Sequence, residues 1–158
     1  MSALPYFANI SSQRALRILC VDDLADIRYV LHLLLQNQGH QVTCAEDGDE
    51  ALAILRDDPD AFDLIITDHQ MPVMNGLEMV SSLRSVAYRG KILVFSSSLD
   101  LQVIQAYRAL GVDDILDKPL PPPELFQAIN RACLGSEAAT KGSAVPWSQA
   151  AAAEEILA

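Results

Sequence analysis

Five short apolar runs, set along the chain with helical patterns between them, constrain this sequence more than any other feature. They cover residues 17–21, 41–45, 62–67, 91–95 and 113–117. Short apolar runs of this kind, alternating with helices, are the pattern of strands buried on both faces of a parallel sheet. Helices are expected over 24–38, 48–57, from about Asn75 onward, 99–110 and 122–134. The first carries Ile27, Val30, Leu31, Leu34 and Leu35 on one face, the third Leu77, Val80 and Leu83, the fifth Leu125, Phe126, Ile129 and Cys133. Gly39 and Gly111 stand as helix stops. Short connections and right-handed crossovers make this an α/β fold, a doubly wound five-stranded parallel sheet in the order 2-1-3-4-5 with five helices.

The ends fit no strand-helix unit. Residues 1–16 are read as an N-terminal extension, 17–134 as one domain, and 135–158 as a flexible tail. That tail is rich in Ala, Ser and Gly, with Pro146 and the chain's one tryptophan, Trp147.

Composition removes several functions. The formal net charge is −10 and no stretch concentrates Lys or Arg. Binding to a phosphate backbone or an anionic bilayer needs a basic face, so neither direct nucleic-acid binding nor membrane adhesion is expected. Cys20, Cys44 and Cys133 lie in apolar segments without paired spacing and read as packing residues. No His/Cys cluster indicates zinc. Neither a signal peptide nor a membrane span is visible, which points to the cytoplasm.

The chemistry gathers at one place. Asp22 and Asp23 follow the first strand, Asp68 the third, Ser96 the fourth, and Lys118 the fifth. Ligands of open parallel sheets bind outside the carboxyl ends of the strands, so these side chains should converge. Each has a plainer reading on its own. Asp22 and Asp23 suit a helix start, Asp68 a turn, Ser96 a polar loop and Lys118 a solvated surface. Together they describe crowded carboxylates that a divalent cation would neutralise, beside a lysine suited to a second anion such as a phosphoryl group.

The segment Asp68-His69-Gln70-Met71-Pro72-Val73-Met74-Asn75-Gly76, with Asp22-Asp23 before it and Ser96 and Lys118-Pro119 after it, resembles the CheY-like receiver domain of two-component response regulators. The resemblance covers about residues 17–134 and implies a flavodoxin-like fold. It implies that Asp68 accepts a phosphoryl group from a histidine kinase or histidine phosphotransfer protein. It further implies a Mg²⁺ site, for which Mn²⁺ can substitute, formed by Asp23, Asp68 and the Gln70 carbonyl, with Asp22 acting through water. Lys118 and the Ser96 hydroxyl would contact the phosphoryl oxygens, and the Lys118-Pro119 bond would be cis. Phosphorylation would then alter partner binding through the face of helix four, strand five and helix five. No output domain fits in the remaining residues, and whether the protein forms a homodimer is left open.

Three departures stand out. Ser96 replaces the commoner threonine. Ile115 replaces the aromatic residue whose ring usually reports the phosphorylated state. Leu120-Pro121-Pro122-Pro123-Glu124 opens the fifth helix without a polar cap, although proline suits a first turn. A degenerate receiver serving only as a protein-interaction module is the main alternative. A phosphatase of the haloacid-dehalogenase type would want an aspartate where Gln70 stands. His32 reads as structural; His69 adjoins the acceptor, but the sequence gives it no partner.

Overall fold

The computed structural model describes residues 14–134. Residues 1–13 of the expected extension and the whole expected tail, with Trp147, lie outside them. The elements run β1 (Arg17–Val21), α1 (Ala25–Asn37), β2 (Gln41–Ala45), α2 (Gly48–Asp57), β3 (Leu64–Thr67), α3 (Gly76–Ser85), β4 (Lys91–Ser96), α4 (Leu101–Ala109), β5 (Asp114–Asp117) and α5 (Pro122–Cys133). All neighbouring strands are parallel, in the order β2-β1-β3-β4-β5.

Successive strand residues point to opposite faces, and the core divides accordingly. Leu19, Val21, Ile65, Ile92 and Val94 pack on one side under α2, α3 and α4, with Ala51, Leu55, Met79, Leu83 and Tyr107. Ile18, Cys20, Leu64, Ile66, Leu93 and Phe95 pack on the other under α1 and α5, with Leu31, Leu35, Leu125, Ala128 and Ile129. Burial on both faces is why these strands read as unbroken apolar runs.

Boundaries shift where side chains intervene. β3 begins at Leu64 rather than 62, and Asp63 just before it turns its carboxylate onto the Arg17 main-chain N–H at 2.8 Å. β5 begins at Asp114 rather than 113, and Asp113 instead accepts the Ile92 N–H through its side chain at 2.8 Å. The expected face of α1 is too wide. Leu31 and Leu35 are buried, but Val30 is exposed and Ile27 and Leu34 are half-buried. Those three instead line an apolar groove toward α5 and Phe95, of about 470 Å³. On α5, Ala128 takes a core position, while Phe126 and Cys133 are half-buried.

The helix ends follow from sequence. Asp47 and Asp100 cap α2 and α4 by accepting the Glu50 and Val103 N–H groups, and Asn75 forms a capping box with Glu78. Gly39 and Gly111 close α1 and α4 at φ +85° and +69°, a left-handed backbone that glycine adopts without a Cβ penalty. α5 starts on Pro121 with no side-chain cap, as the proline run suggested. The chain reverses its strand order between β1 and β3, so the loops leaving those two strands diverge and open a crevice.

Candidate functional site

Asp22 and Asp68 stand at that crevice on the ends of β1 and β3. The two strand ends are locked across the sheet, the Asp68 N–H donating to the Val21 carbonyl at 2.8 Å. Asp23 completes the group. One carboxylate oxygen from each of the three acids lies within 4.8 Å of the others. Asp22 is buried (2 % exposed), Asp68 nearly so (8 %), and Asp23 is open to solvent.

Lys118 enters from the end of β5. Its Nζ lies 2.6 Å from Asp22 Oδ2 and 3.3 Å from Asp68 Oδ2. The ammonium also sits 5.3 Å from the centre of the Phe95 ring, a cation–π contact on its apolar side. The Lys118–Pro119 peptide is cis, and the Lys118 N–H donates to the Ser96 carbonyl at 3.0 Å. Ser96 is buried at the end of β4, opposite Asp117 in the ladder. The five strand-end residues therefore share one edge of the sheet. Gln70 is exposed and lines a shallow cavity with Asp23, His69 and Asn75.

Asp22 serves both readings open to it. Its Oδ1 accepts the Leu24 N–H at 2.9 Å, turning the chain into α1, while Oδ2 holds Lys118. Arg28 on α1 donates to the Asp22 carbonyl at 2.6 Å and reaches Glu46, fixing the first loop from below.

At the loop after β3 meet two residues whose roles the sequence left blank, His69 of that loop and Tyr107 of α4. His69 donates its main-chain N–H to Asp68 Oδ1 at 2.7 Å. Its ring Nδ1 lies 2.9 Å from the hydroxyl of Tyr107 on α4, the rings meeting edge to face at 5.6 Å. Tyr107 is fully buried, and burial first, then the Asp68 charge, pushes its hydroxyl pKa up. Any Cβ on Gly76 would collide with the Asp68 carbonyl and the Tyr107 hydroxyl, so only glycine fits this closure. His32 is half-buried on α1, away from the acids. Tyr107 was not singled out in the sequence; its signal is a lone aromatic between Ala106 and Arg108-Ala109 in a helix of ordinary periodicity.

What the site lacks is charge balance. Three carboxylates face one ammonium, so a hard divalent cation and an anion beside Lys118 are the ligands it suits. Oxygen-only donors with no His or Cys among them fit Mg²⁺, which takes few protein ligands and keeps several waters.

The family model of the response regulator receiver domain matches residues 18–130. The chain is 37% identical over 131 residues to the sensor histidine kinase AruS of Pseudomonas aeruginosa, covering 80% of this chain and 13% of that protein. It is 34% identical over 110 residues to a response regulator receiver protein of Anaeromyxobacter, covering 70% of this chain and 45% of that one. Thus it spans less than half the length of either relative. Among solved structures, the chemotaxis protein CheY4 of Vibrio cholerae superposes with a TM-score of 0.69 at 34% identity, over 75% of this chain and 99% of that one.

Proposed function

The chain belongs to the response regulator receiver family, and from that premise we propose that it accepts a phosphoryl group on Asp68 in a Mg²⁺-dependent reaction. The observation that carries this reading is the placement of Lys118 between Asp22 and Asp68 within an acid cluster open at Asp23. A carboxylate oxygen of Asp68 attacks phosphorus, the donor's bond to phosphorus breaks, and an acyl phosphate results. The His69 N–H orients the attacking carboxylate. Lys118 leaves Asp68 for a phosphoryl oxygen while Asp22 continues to hold it, and Ser96 offers its hydroxyl to another. Asp23, Asp68 and the Gln70 carbonyl would hold the ion, with Asp22 acting through water, and the ion would supply charge neutralisation at the phosphoryl oxygens.

The phosphoryl donor is a histidine kinase or histidine phosphotransfer protein, and the downstream partner binds the face of α4, β5 and α5. The domain is a signalling switch rather than a turnover enzyme, with slow loss of the phosphoryl group by its own hydrolysis. Intact mass after incubation with phosphoramidate tests the chemistry. One added phosphoryl group is expected, only with Mg²⁺ or Mn²⁺, and none in Asp68→Asn. Equal labelling of that variant would overturn the assignment of the acceptor.

A further inference from the structure

Tyr107 is the largest fully buried side chain of the described residues, yet it ends in a polar hydroxyl directed at the acceptor loop. A buried hydroxyl that merely fills space costs stability unless paired, and this one pairs with His69 Nδ1. His69 is in turn bonded on both sides of its own backbone. Its N–H donates to Asp68 Oδ1 at 2.7 Å, and its carbonyl accepts the Gly76 N–H at 2.9 Å. Gly76 closes the arrangement, since its bare Cα is what lets the Tyr107 hydroxyl and the Asp68 carbonyl approach. One hydrogen bond on the His69 ring and one on its main-chain N–H therefore link α4, through His69, to the Asp68 carboxylate.

We propose that Tyr107 is a positioning residue for phosphoryl acceptance, acting through His69, whose ring it fixes and whose main-chain N–H sets the orientation of the Asp68 carboxylate. The inference deepens the proposed function and rests on it. In this arrangement the Tyr107 O–H donates to Nδ1. The imidazole proton is then on Nε2, in a residue that lines the cavity with Asp23 and Gln70. Phosphorylation alters what Asp68 Oδ1 accepts, so the same link carries the change back to α4. That route passes on the opposite side of β4 from Phe95 and needs no aromatic ring at Ile115.

Three variants test it with the full chain: Tyr107→Phe, His69→Ala and the double variant. Tyr107→Phe keeps the ring and removes only the hydroxyl. Expected are a 3- to 10-fold change in the rate of phosphoramidate labelling and an unchanged half-saturating Mg²⁺ concentration, because no metal ligand is touched. The double variant should label at the rate of His69→Ala alone, since groups acting through one another are non-additive. Nitrogen NMR of His69 should show the Nε2–H tautomer in the wild type and a tautomer mixture in Tyr107→Phe. Multiplying effects in the double variant, or an unchanged rate in Tyr107→Phe, would overturn the role of Tyr107 while leaving Asp68 as acceptor. Absence of Mg²⁺-dependent labelling in the wild type would overturn both.

Discussion

Charge collects at both ends of the sheet, and the two ends treat it in opposite ways. At the amino ends of the strands, Asp63 meets Arg17 and Arg14 at 3.1 and 2.9 Å, and Lys91 meets Asp113 at 3.5 Å. Arg131 meets Asp114 at 3.3 Å at the start of β5, and these ion pairs are partly open to water. Asp63 sits below the ordinary carboxylate range, chiefly through the Arg17 side-chain hydrogen bond. At the carboxyl ends, Asp22 and Asp68 share the ammonium of Lys118, with Asp23 clustered beside them. The first end pairs its charges within the fold; the second holds a surplus of negative charge. A surplus of like charge held in place by the sheet is what marks the second end as the candidate site.

Metal titration should split the two ends most widely. Mg²⁺ at 100 times its dissociation constant should stabilise the fold by about 2.7 kcal/mol, because it binds only the folded site. Calorimetry should find the gain nearly gone in Asp23→Ala and intact in Asp63→Ala. Equal gains in all three proteins would place the ion elsewhere.

Removing Asp63 probes the first end. Asp63→Ala should lower stability by about 1 kcal/mol, after allowance for solvent screening of its arginine partners. Urea unfolding should give the same loss with and without Mg²⁺. A loss that vanished on adding Mg²⁺ would mean that the ends are coupled.

A smaller effect lies in the loop after β3. Val73 stands at φ +67°, where a β-branched residue is strained. Val73→Asn relieves that strain and should raise stability by about 0.5–1 kcal/mol, since asparagine tolerates the left-handed region. The same melting measurement checks it, and a destabilised variant would count against the strain.

The smallest effect is a pH slope. His40 accepts the Leu16 N–H through Nδ1 at 3.1 Å, and burial lowers its pKa below the ordinary 6.5. Above pH 6.5 both folded and unfolded forms are neutral, and the stability from this group is fully present. As pH falls through 6.5 toward the folded value, the unfolded chain takes up the proton first and stability declines. His40→Asn, which can keep an acceptor for Leu16, should flatten the slope in that interval; an unchanged slope would assign it to another group.

Most of the sheet was legible because parallel strands are buried on both faces, and residues such as Ile65 and Leu93 have no polar partners to confuse the pattern. The convergence of Asp22, Asp23, Asp68, Ser96 and Lys118 on one edge was legible for a topological reason, each following a strand of the same direction. Periodicity could not give Val30 its place, since how much of an apolar stripe is covered depends on the neighbouring helix. Nor could it join His69 to Tyr107. The two stand 38 residues apart, and a tyrosine at a core position looks like any other core residue until its hydroxyl has an address.

The bond between Lys118 and Asp22 joins residues 96 positions apart. Asp22 is made with the first strand, whereas its counter-ion arrives with the last. During synthesis the three acids accumulate long before anything offsets them, and contacts of such separation form late in folding. A chain interrupted before Lys118 would carry Asp22 and Asp68 without the lysine that pairs with them. The charge pairing of this edge is thereby withheld until the polypeptide has closed upon itself.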